Sequence, residues 1–241
     1  MHRFFVNPEE IQGERVVFST AHSRQIARVL RLKTGQRCVV LDDRGSEMVV
    51  ILSQVGAESC TAGIIETRSA VEPSTILLMM VSLTQREKFE WMLQKCTEVG
   101  AAAFQPVITS RSMVQQPEEV ETKYARWRSI IREAAEQSGR GRVPELLAPA
   151  RLTIAVEKAT AHYQRCLIPW EGEQVRSLKE ALAGRVFSRV AVLIGPEGGF
   201  SEEEVQHAVS LGFTSVTLGK RILRMETAAV VTAALILHEL E

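Results

Sequence analysis

Three cations and a carboxylate fall within seven residues near the C-terminus: Lys220, Arg221, Arg224 and Glu226. They lie in the run Leu218-Gly219-Lys220-Arg221-Ile222-Leu223-Arg224-Met225-Glu226-Thr227-Ala228, just past the strand pattern Ser215-Val216-Thr217-Leu218. So many charges beside an apolar strand end suit a polar or charged ligand. A second stretch, Gly195-Pro196-Glu197-Gly198-Gly199-Phe200, follows the β-branched run Val190–Ile194. Three glycines and a proline in five positions let its backbone approach a ligand closely. If the two strands are neighbours in a parallel sheet, both loops reach the sheet edge where open α/β folds bind ligands. There is no Gly-Lys-Ser/Thr, so this is not a phosphate-cradling P-loop. There is no G-x-G-x-x-G after the first strand of the domain, so the dinucleotide fingerprint is absent as well.

The elements that must position these loops can be read from period and punctuation. Ser201 with Glu204 three residues on is a capping box that opens a helix. Thr75–Leu83 is apolar throughout, as expected of a strand buried on both faces. Lys88–Val99 carries the helical stripe Phe89, Met92, Leu93, Cys96 and Val99, and Gly100 ends it. Phe104–Thr109 is the next strand, with Arg111 just past its end. Pro117 opens a helix whose 3.6 spacing places Trp127 in the core. Glycines then leave Gln137, Arg140 and Arg142 on a loop expected to be mobile. Leu167-Ile168-Pro169 ends a further strand, with Trp170-Glu171-Gly172-Glu173 as its loop, and a helix covers Ser177 to Ala183. The last helix, Glu226–Leu240, is apolar nearly all round, which places it in a core or a subunit interface.

The N-terminal part reads differently. Short strands at Phe4–Val6, Arg15–Phe18, Cys38–Leu41, Met48–Leu52 and Gly63–Ile65, with a hairpin turn at Asp42-Asp43-Arg44-Gly45, suggest a small barrel. A helix over His22–Leu32 buries Ile26, Val29 and Leu30 and turns Arg24, Arg28 and Arg31 to another face. No acid occurs between Ala21 and Val40, so this patch suits a polyanion, and Arg3 could join it. Ser69–Ser74 marks a boundary, giving domains of residues 1–72 and 73–241.

Composition bounds the rest. With 45% hydrophobic and 24% charged residues the chain is an ordinary globular one. Its net charge is zero, so any nucleic-acid binding must come from a local patch. The start lacks a signal-peptide core, and the longest apolar stretch, Ala228–Leu237, is about half the ~20 residues of a membrane span. The cysteines are scattered singly and the five histidines form no metal motif, which points to a reducing cytoplasm and no metal.

The motifs together resemble a known family. Lys88, Gln94-Lys95-x-Thr97-Glu98-x-Gly100, Thr109-x-Arg111-Ser112, Glu133-Ala134-x-Glu136-Gln137-Ser138-x-Arg140, Ile194–Phe200 and Leu218–Ala228 look like the RsmE family of bacterial ribosomal RNA small-subunit methyltransferases, in the SPOUT superfamily. Met1-x-Arg3-Phe4-Phe5 and His22-x6-Val29-Leu30-Arg31 resemble that family's N-terminal domain. The resemblance implies an α/β fold: a PUA-like RNA-binding barrel, then a parallel-sheet domain whose tail forms a deep trefoil knot. It also implies S-adenosyl-L-methionine as cofactor, methylation of uridine N3 in 16S rRNA, and a homodimer formed through the SPOUT domain. Three rivals are a non-enzymatic RNA-binding assembly factor, a SPOUT methyltransferase with another RNA target, and an α/β nucleotide-binding enzyme unrelated to methylation, against which the missing P-loop lysine argues.

The chemistry of the residues, read beside that resemblance, points to roles. Backbone and apolar groups for the cofactor would come from Ile194, Gly195, Pro196, Gly198 and Gly199, and from Leu218, Gly219, Ile222, Leu223, Thr227 and Ala228. Leu167, Ile168 and Glu171 match the superfamily's third cofactor loop, and Glu171 or Glu197 could bind ribose hydroxyls or balance the sulfonium. Arg224, which also borders the cofactor, would stabilise charge developing on the uracil oxygens. Glu226 or Glu98 would assist proton loss. Arg3, Arg24, Arg28, Arg31, Lys88, Arg111 and Arg140 would contact RNA.

Overall fold

The fold is described from a computed structural model covering residues 1–184 and 186–241. The chain divides into two compact units, residues 1–72 with 135–143, and residues 73–134 with 144–241.

The first unit is a mixed six-stranded sheet in the order β1-β4-β5-β6-β3-β2. Its strands are β1 (Arg3–Phe5), β2 (Ile11–Gln12), β3 (Arg15–Phe18), β4 (Arg37–Leu41), β5 (Ser46–Gln54) and β6 (Cys60–Ser69). The β1–β4 pair is parallel and the rest antiparallel. Period-two alternation sends Cys38 and Val40 into one cluster with Phe4, Phe18, Val50 and Leu52. Val39 and Leu41 point the other way and pack with Phe5 and Ala135. The hairpin turn is closed by Asp42, whose Oδ1 accepts the amides of Arg44 and Ser46, both at 2.8 Å.

Helix α1 (Thr20–Arg24) is capped by Ser19, which accepts the His22 amide, and runs into a π-turn over Gln25–Val29. That turn corrects one expectation. Leu30 N–H bonds Gln25 O at 2.9 Å, an i→i+5 closure that widens the turn. Ile26 stays inside, but Val29 is swung out to 73% exposure. Arg24, Arg28 and Arg31 are all exposed, and Arg31 adopts a left-handed φ of 52°.

The segment 135–143 is fixed rather than mobile. Glu136 accepts the Phe5 amide at 3.0 Å. Arg140 is buried and grips the Glu72 carboxylate through Nε and Nη2 at 2.6–3.1 Å. Glu72 also accepts the Gly141 and Arg142 amides. A Cβ at Gly141 would collide with Ala70, so the approach needs glycine there.

The second unit is an all-parallel sheet in the order β10-β8-β7-β12-β11-β13, with β9 also paired to β8. Its strands are β7 (Ile76–Ser82), β8 (Ala103–Ile108), β9 (Glu145–Leu146), β10 (Ala150–Arg151), β11 (Arg165–Pro169), β12 (Arg189–Ile194) and β13 (Phe213–Val216). Its helices are α2 (Arg86–Val99), α3 (Tyr124–Ser138), α4 (Leu152–His162), α5 (Leu178–Leu182), α6 (Glu202–Ser210) and α7 (Met225–Leu240); α3 runs on into the first unit's segment. The two loop-bearing strands are not neighbours: β11 lies between β12 and β13 and pairs with both. On α2, Phe89, Met92, Leu93 and Cys96 are buried, and Trp127 lies against Phe89 with ring centroids 4.6 Å apart. Helix α7 buries Ala229, Thr232, Ala233, Ile236 and Leu237 and leaves Ala234 and Leu235 exposed. Among the described residues no helix is long and apolar enough to cross a membrane, and no cluster could hold a metal ion.

Candidate active site

Because the sheet is parallel, β11, β12 and β13 all release their following loops at one edge. Those loops, with Lys88 from α2, line a cavity of about 900 Å³.

The loop after β12 is a tight turn. Gly199, at φ 67°, donates its amide to Pro196 O at 2.9 Å, and the Phe200 ring lies over Gly195, where a Cβ would come within 2.9 Å of it. The turn is braced from outside. Arg111 Nη1 donates to Gly198 O at 2.7 Å and Phe200 O at 3.4 Å. Glu204 accepts the Ser110 amide through Oε1 and the Ser201 amide through Oε2, while Ser201 Oγ accepts the Glu204 amide. The capping box read from the sequence therefore also ties the turn to the end of β8. Burial pushes the Glu197 carboxyl up, but its polar neighbours Thr84 and Lys88, the latter through a hydrogen bond, bring it below the ordinary range. Lys88 Nζ stands 3.0 Å from Glu197 Oε1.

The loop after β11 is organised by Glu173. Ser215 Oγ donates to Oε2 at 2.6 Å, and the Val175 and Arg176 amides donate to Oε1 at 2.9 and 3.1 Å. These three bonds to the ionised form, the one from Ser215 foremost, hold the carboxyl down at about 2. Trp170 N–H bonds Val216 O at 3.1 Å and Trp170 O accepts the Glu173 amide at 3.1 Å, so the loop is clamped to the end of β13.

The loop after β13 is held more lightly. Thr217 N–H reaches Arg176 O at 2.8 Å, and Thr217 Oγ1 accepts the Gly219 amide at 3.2 Å, with Gly219 at φ 112°. Arg224 is the N-cap of α7, with φ −64° and ψ 152°. Its guanidinium is exposed and forms no ion pair among the described residues. Glu226 lies in the first turn, and its Oε2 is buried at the cavity with no hydrogen-bond partner among the described residues. The structure thus presents an unpaired guanidinium and a desolvated carboxylate oxygen in one cavity.

An RNA methyltransferase domain model matches residues 71–237. The chain is 34% identical over 240 residues to ribosomal RNA small subunit methyltransferase E of Synechocystis sp., covering 97% of this chain and 76% of that protein. The chain belongs to the RsmE family. Its Bacillus subtilis relative is 29% identical over 251 residues, covering 100% of this chain and 98% of that one. The crystal structure of the Neisseria gonorrhoeae enzyme, bound to S-adenosyl methionine, superposes with a TM-score of 0.88 at 29% identity, covering 98% of this chain and 96% of that one.

Most of the residues that the RsmE resemblance singles out converge on the cavity. Glu171, Ile194, Gly195, Pro196, Glu197, Gly199, Leu218, Gly219, Ile222, Leu223, Arg224, Glu226 and Ala228 line it, as does Lys88. Leu167 and Ile168 are fully buried inside β11, and Gly198 and Thr227 are absent from the lining, so these four do not face it. Glu98 is separated from Lys88 by nearly three helical turns, about 15 Å of α2, and it pairs with Lys95 at 2.8 Å. Arg140 is occupied by Glu72 and buried, Arg111 serves the glycine turn, and Arg3 pairs with Glu47 at 2.7 Å. Sequence reasoning missed Trp170, Glu173, Thr217 and Met225 as site residues. No local pattern could have marked Glu173, because its decisive partner, Ser215, is 42 residues away.

Proposed function

We propose that this chain methylates N3 of a uridine in the 16S rRNA of the small ribosomal subunit, using S-adenosylmethionine. The observation that carries the reading is that one loop-built cavity holds both the Arg224 guanidinium and the Glu226 oxygen, neither with a partner among the described residues.

The cavity fits that cofactor. Ile194, Leu218, Leu223 and Ala228 offer an apolar slot for adenine, and the glycine turn and Gly219 offer backbone groups. Glu171, and Glu197 alongside its pair with Lys88, line the cavity where ribose hydroxyls and a positive sulfur would lie. When bound, S-adenosylmethionine supplies an activated methyl group on a sulfonium. The residues of the chain must make N3 a nucleophile. Glu226 Oε2, desolvated and unpaired, accepts the N3 proton. The planar Arg224 guanidinium stabilises the negative charge that spreads onto O2 and O4 as that proton leaves. The turn braced by Arg111 holds the base in line. Glu98, remote on α2, takes no part.

Residues 1–72 are assigned as a PUA-like barrel and residues 73–241 as a SPOUT domain. The exposed Arg24, Arg28 and Arg31 are the RNA contacts of the former, with Arg3 as a secondary contact; in the latter, Lys88 lies at the cavity, where it also pairs with Glu197. A deep trefoil knot at the C-terminus is supported by α7, which packs on α2, β7 and β12 although it follows the edge strand β13. A homodimer is supported by the exposed Ala234 and Leu235 on an otherwise apolar α7. The test is transfer of labelled methyl from S-adenosylmethionine to small-subunit particles, followed by nucleoside analysis. Label in 3-methyluridine, reduced about 10²–10³-fold in Arg224→Ala, supports the reading. Label in another nucleoside, or none with folded, cofactor-binding protein, overturns it.

A further inference from the structure

We infer that Trp170 is the stacking platform for the target base, and that Gly172 exists to hold its ring in place. The inference rests on the function proposed above and deepens it. Two aromatic side chains line the cavity among the described residues, Trp170 and Phe200. Phe200 is 4% exposed and packs within the core against Gly195, so it offers no free face. Trp170 is half-buried: it packs against the core cluster on one side and still lines the cavity.

Its backbone is pinned at both ends, by Val216 O and by the Glu173 amide, each at 3.1 Å. Its ring is pinned as well. A Cβ on Gly172 would collide with Cζ2, Cη2 and Cε2 of the indole, so the six-membered ring lies directly on the Gly172 backbone. A rigid indole with little side-chain freedom left to lose is the cheapest surface on which to stack a planar ligand.

The surroundings say which planar ligand. Lys220, Arg221 and Arg224 line the cavity and are exposed, and Lys88 is half-buried there. An aromatic platform inside a cationic rim is how proteins take a base from single-stranded nucleic acid. The volume, about 900 Å³, is near the top of the ~300–1,000 Å³ that a single small-molecule site occupies, so a base can lie beside the cofactor. Stacking does not distinguish bases, because each has a π-face. Trp170 therefore supplies affinity for an extruded base, and Arg224, at the oxygen edges, supplies its identity as uracil.

The test uses the full-length protein, small-subunit particles that lack the modification, and calorimetric titration of S-adenosylmethionine. Trp170→Leu keeps the apolar packing and removes the stacking face; it is expected to raise the KM for particles about tenfold with cofactor Kd within about twofold. Trp170→Phe is expected to restore most of the loss, and Gly172→Ala, by displacing the ring, to reproduce it. Equal kinetics for the Leu and Phe variants, or a cofactor Kd that weakens in step with the particle KM, would overturn the assignment, the latter by giving the ring to adenine. If the unsubstituted protein methylates uridine and Trp170 variants behave as wild type, this inference alone fails. If the unsubstituted protein transfers no methyl group, the proposed function fails and takes this inference with it.

Discussion

Arg224 and Glu226 stand two residues apart at the start of one helix and do not pair. Arg224, as N-cap, has extended backbone, while Glu226 is already helical, so their side chains leave in different directions. The consequence is a buried carboxylate oxygen without a partner among the described residues, a state that costs about 1–3 kcal/mol and is retained at sites that use it. Glu226→Gln is therefore expected to raise stability slightly in chemical denaturation and to lower single-turnover methyl transfer by about 10²–10⁴. A stabilised variant with normal turnover would remove Glu226 from the chemistry. Arg31 poses the same question on the other unit. Its left-handed φ of 52° costs a non-glycine residue roughly 1–2 kcal/mol, and it forms no ion pair among the described residues. Glycine would relieve that strain, so the arginine is kept for what its charge touches. Arg31→Gly is expected to match or exceed wild-type Tm while RNA binding weakens and its log-log salt slope falls by about one; unchanged binding would return Arg31 to solvated surface. Both side chains are visible in the sequence by type and spacing. Neither the unpaired Glu226 oxygen nor the strain at Arg31 is, because each depends on backbone angles that no local pattern encodes.

At the scale of elements, the strands, the Ser201–Glu204 capping box and the stripe of α2 follow from period and punctuation, because each is set by neighbours within a few residues. Strand adjacency is not. β12 and β13 are separated by β11, a choice made by long-range pairing, and the loops converge only because all three strands are parallel. The π-turn that exposes Val29 is equally silent in a sequence whose 3.6 period fits an ordinary helix. The loop after β11 shows what cross-strand contacts add, since Glu173 links it to β13. Its carboxyl falls from 4.5 to about 2 on folding. A folded pKa depressed in this way gives stability that is present above about pH 4.5 and lost as pH falls toward 2. The stability difference between wild type and Glu173→Gln, followed by denaturation against pH, is expected to be constant above pH 5 and to shrink across that window. A difference that persists unchanged at low pH would mean that the glutamine is harmful for its shape rather than its missing charge.

The whole molecule is not assembled as its sequence is written. The first unit is completed by residues 135–143, which reach it only after more than sixty residues of the second. Arg140 and the amides of Gly141 and Arg142 surround the Glu72 carboxylate, Glu136 closes the Phe5 amide at the edge of β1, and Ala135 fills the cluster of Phe5, Val39 and Leu41. The composition shift near Ser69–Ser74 marks where the chain leaves the first unit and gives no sign that it returns, because Glu136–Arg140 reads as an ordinary helix end. Magnitudes decide what the return is for. A domain of this size is stable by roughly 4–11 kcal/mol at the usual 0.05–0.15 per residue. A hydrogen bond to a charged group, as from the Phe5 amide to Glu136, contributes about 1.5–3 kcal/mol, and one partner lost from a buried ion pair costs about 3–5. The sum rivals the whole stability. A fragment of residues 1–72 is therefore expected to be largely unfolded at 25 °C by circular dichroism and amide dispersion, and Arg140→Ala to lower the full chain's stability by about 3 kcal/mol or more. A fragment that folds cooperatively with a Tm near that of the intact chain would show that 135–143 only decorates the sheet, and that the Arg140–Glu72 pair is worth no more than a surface bridge.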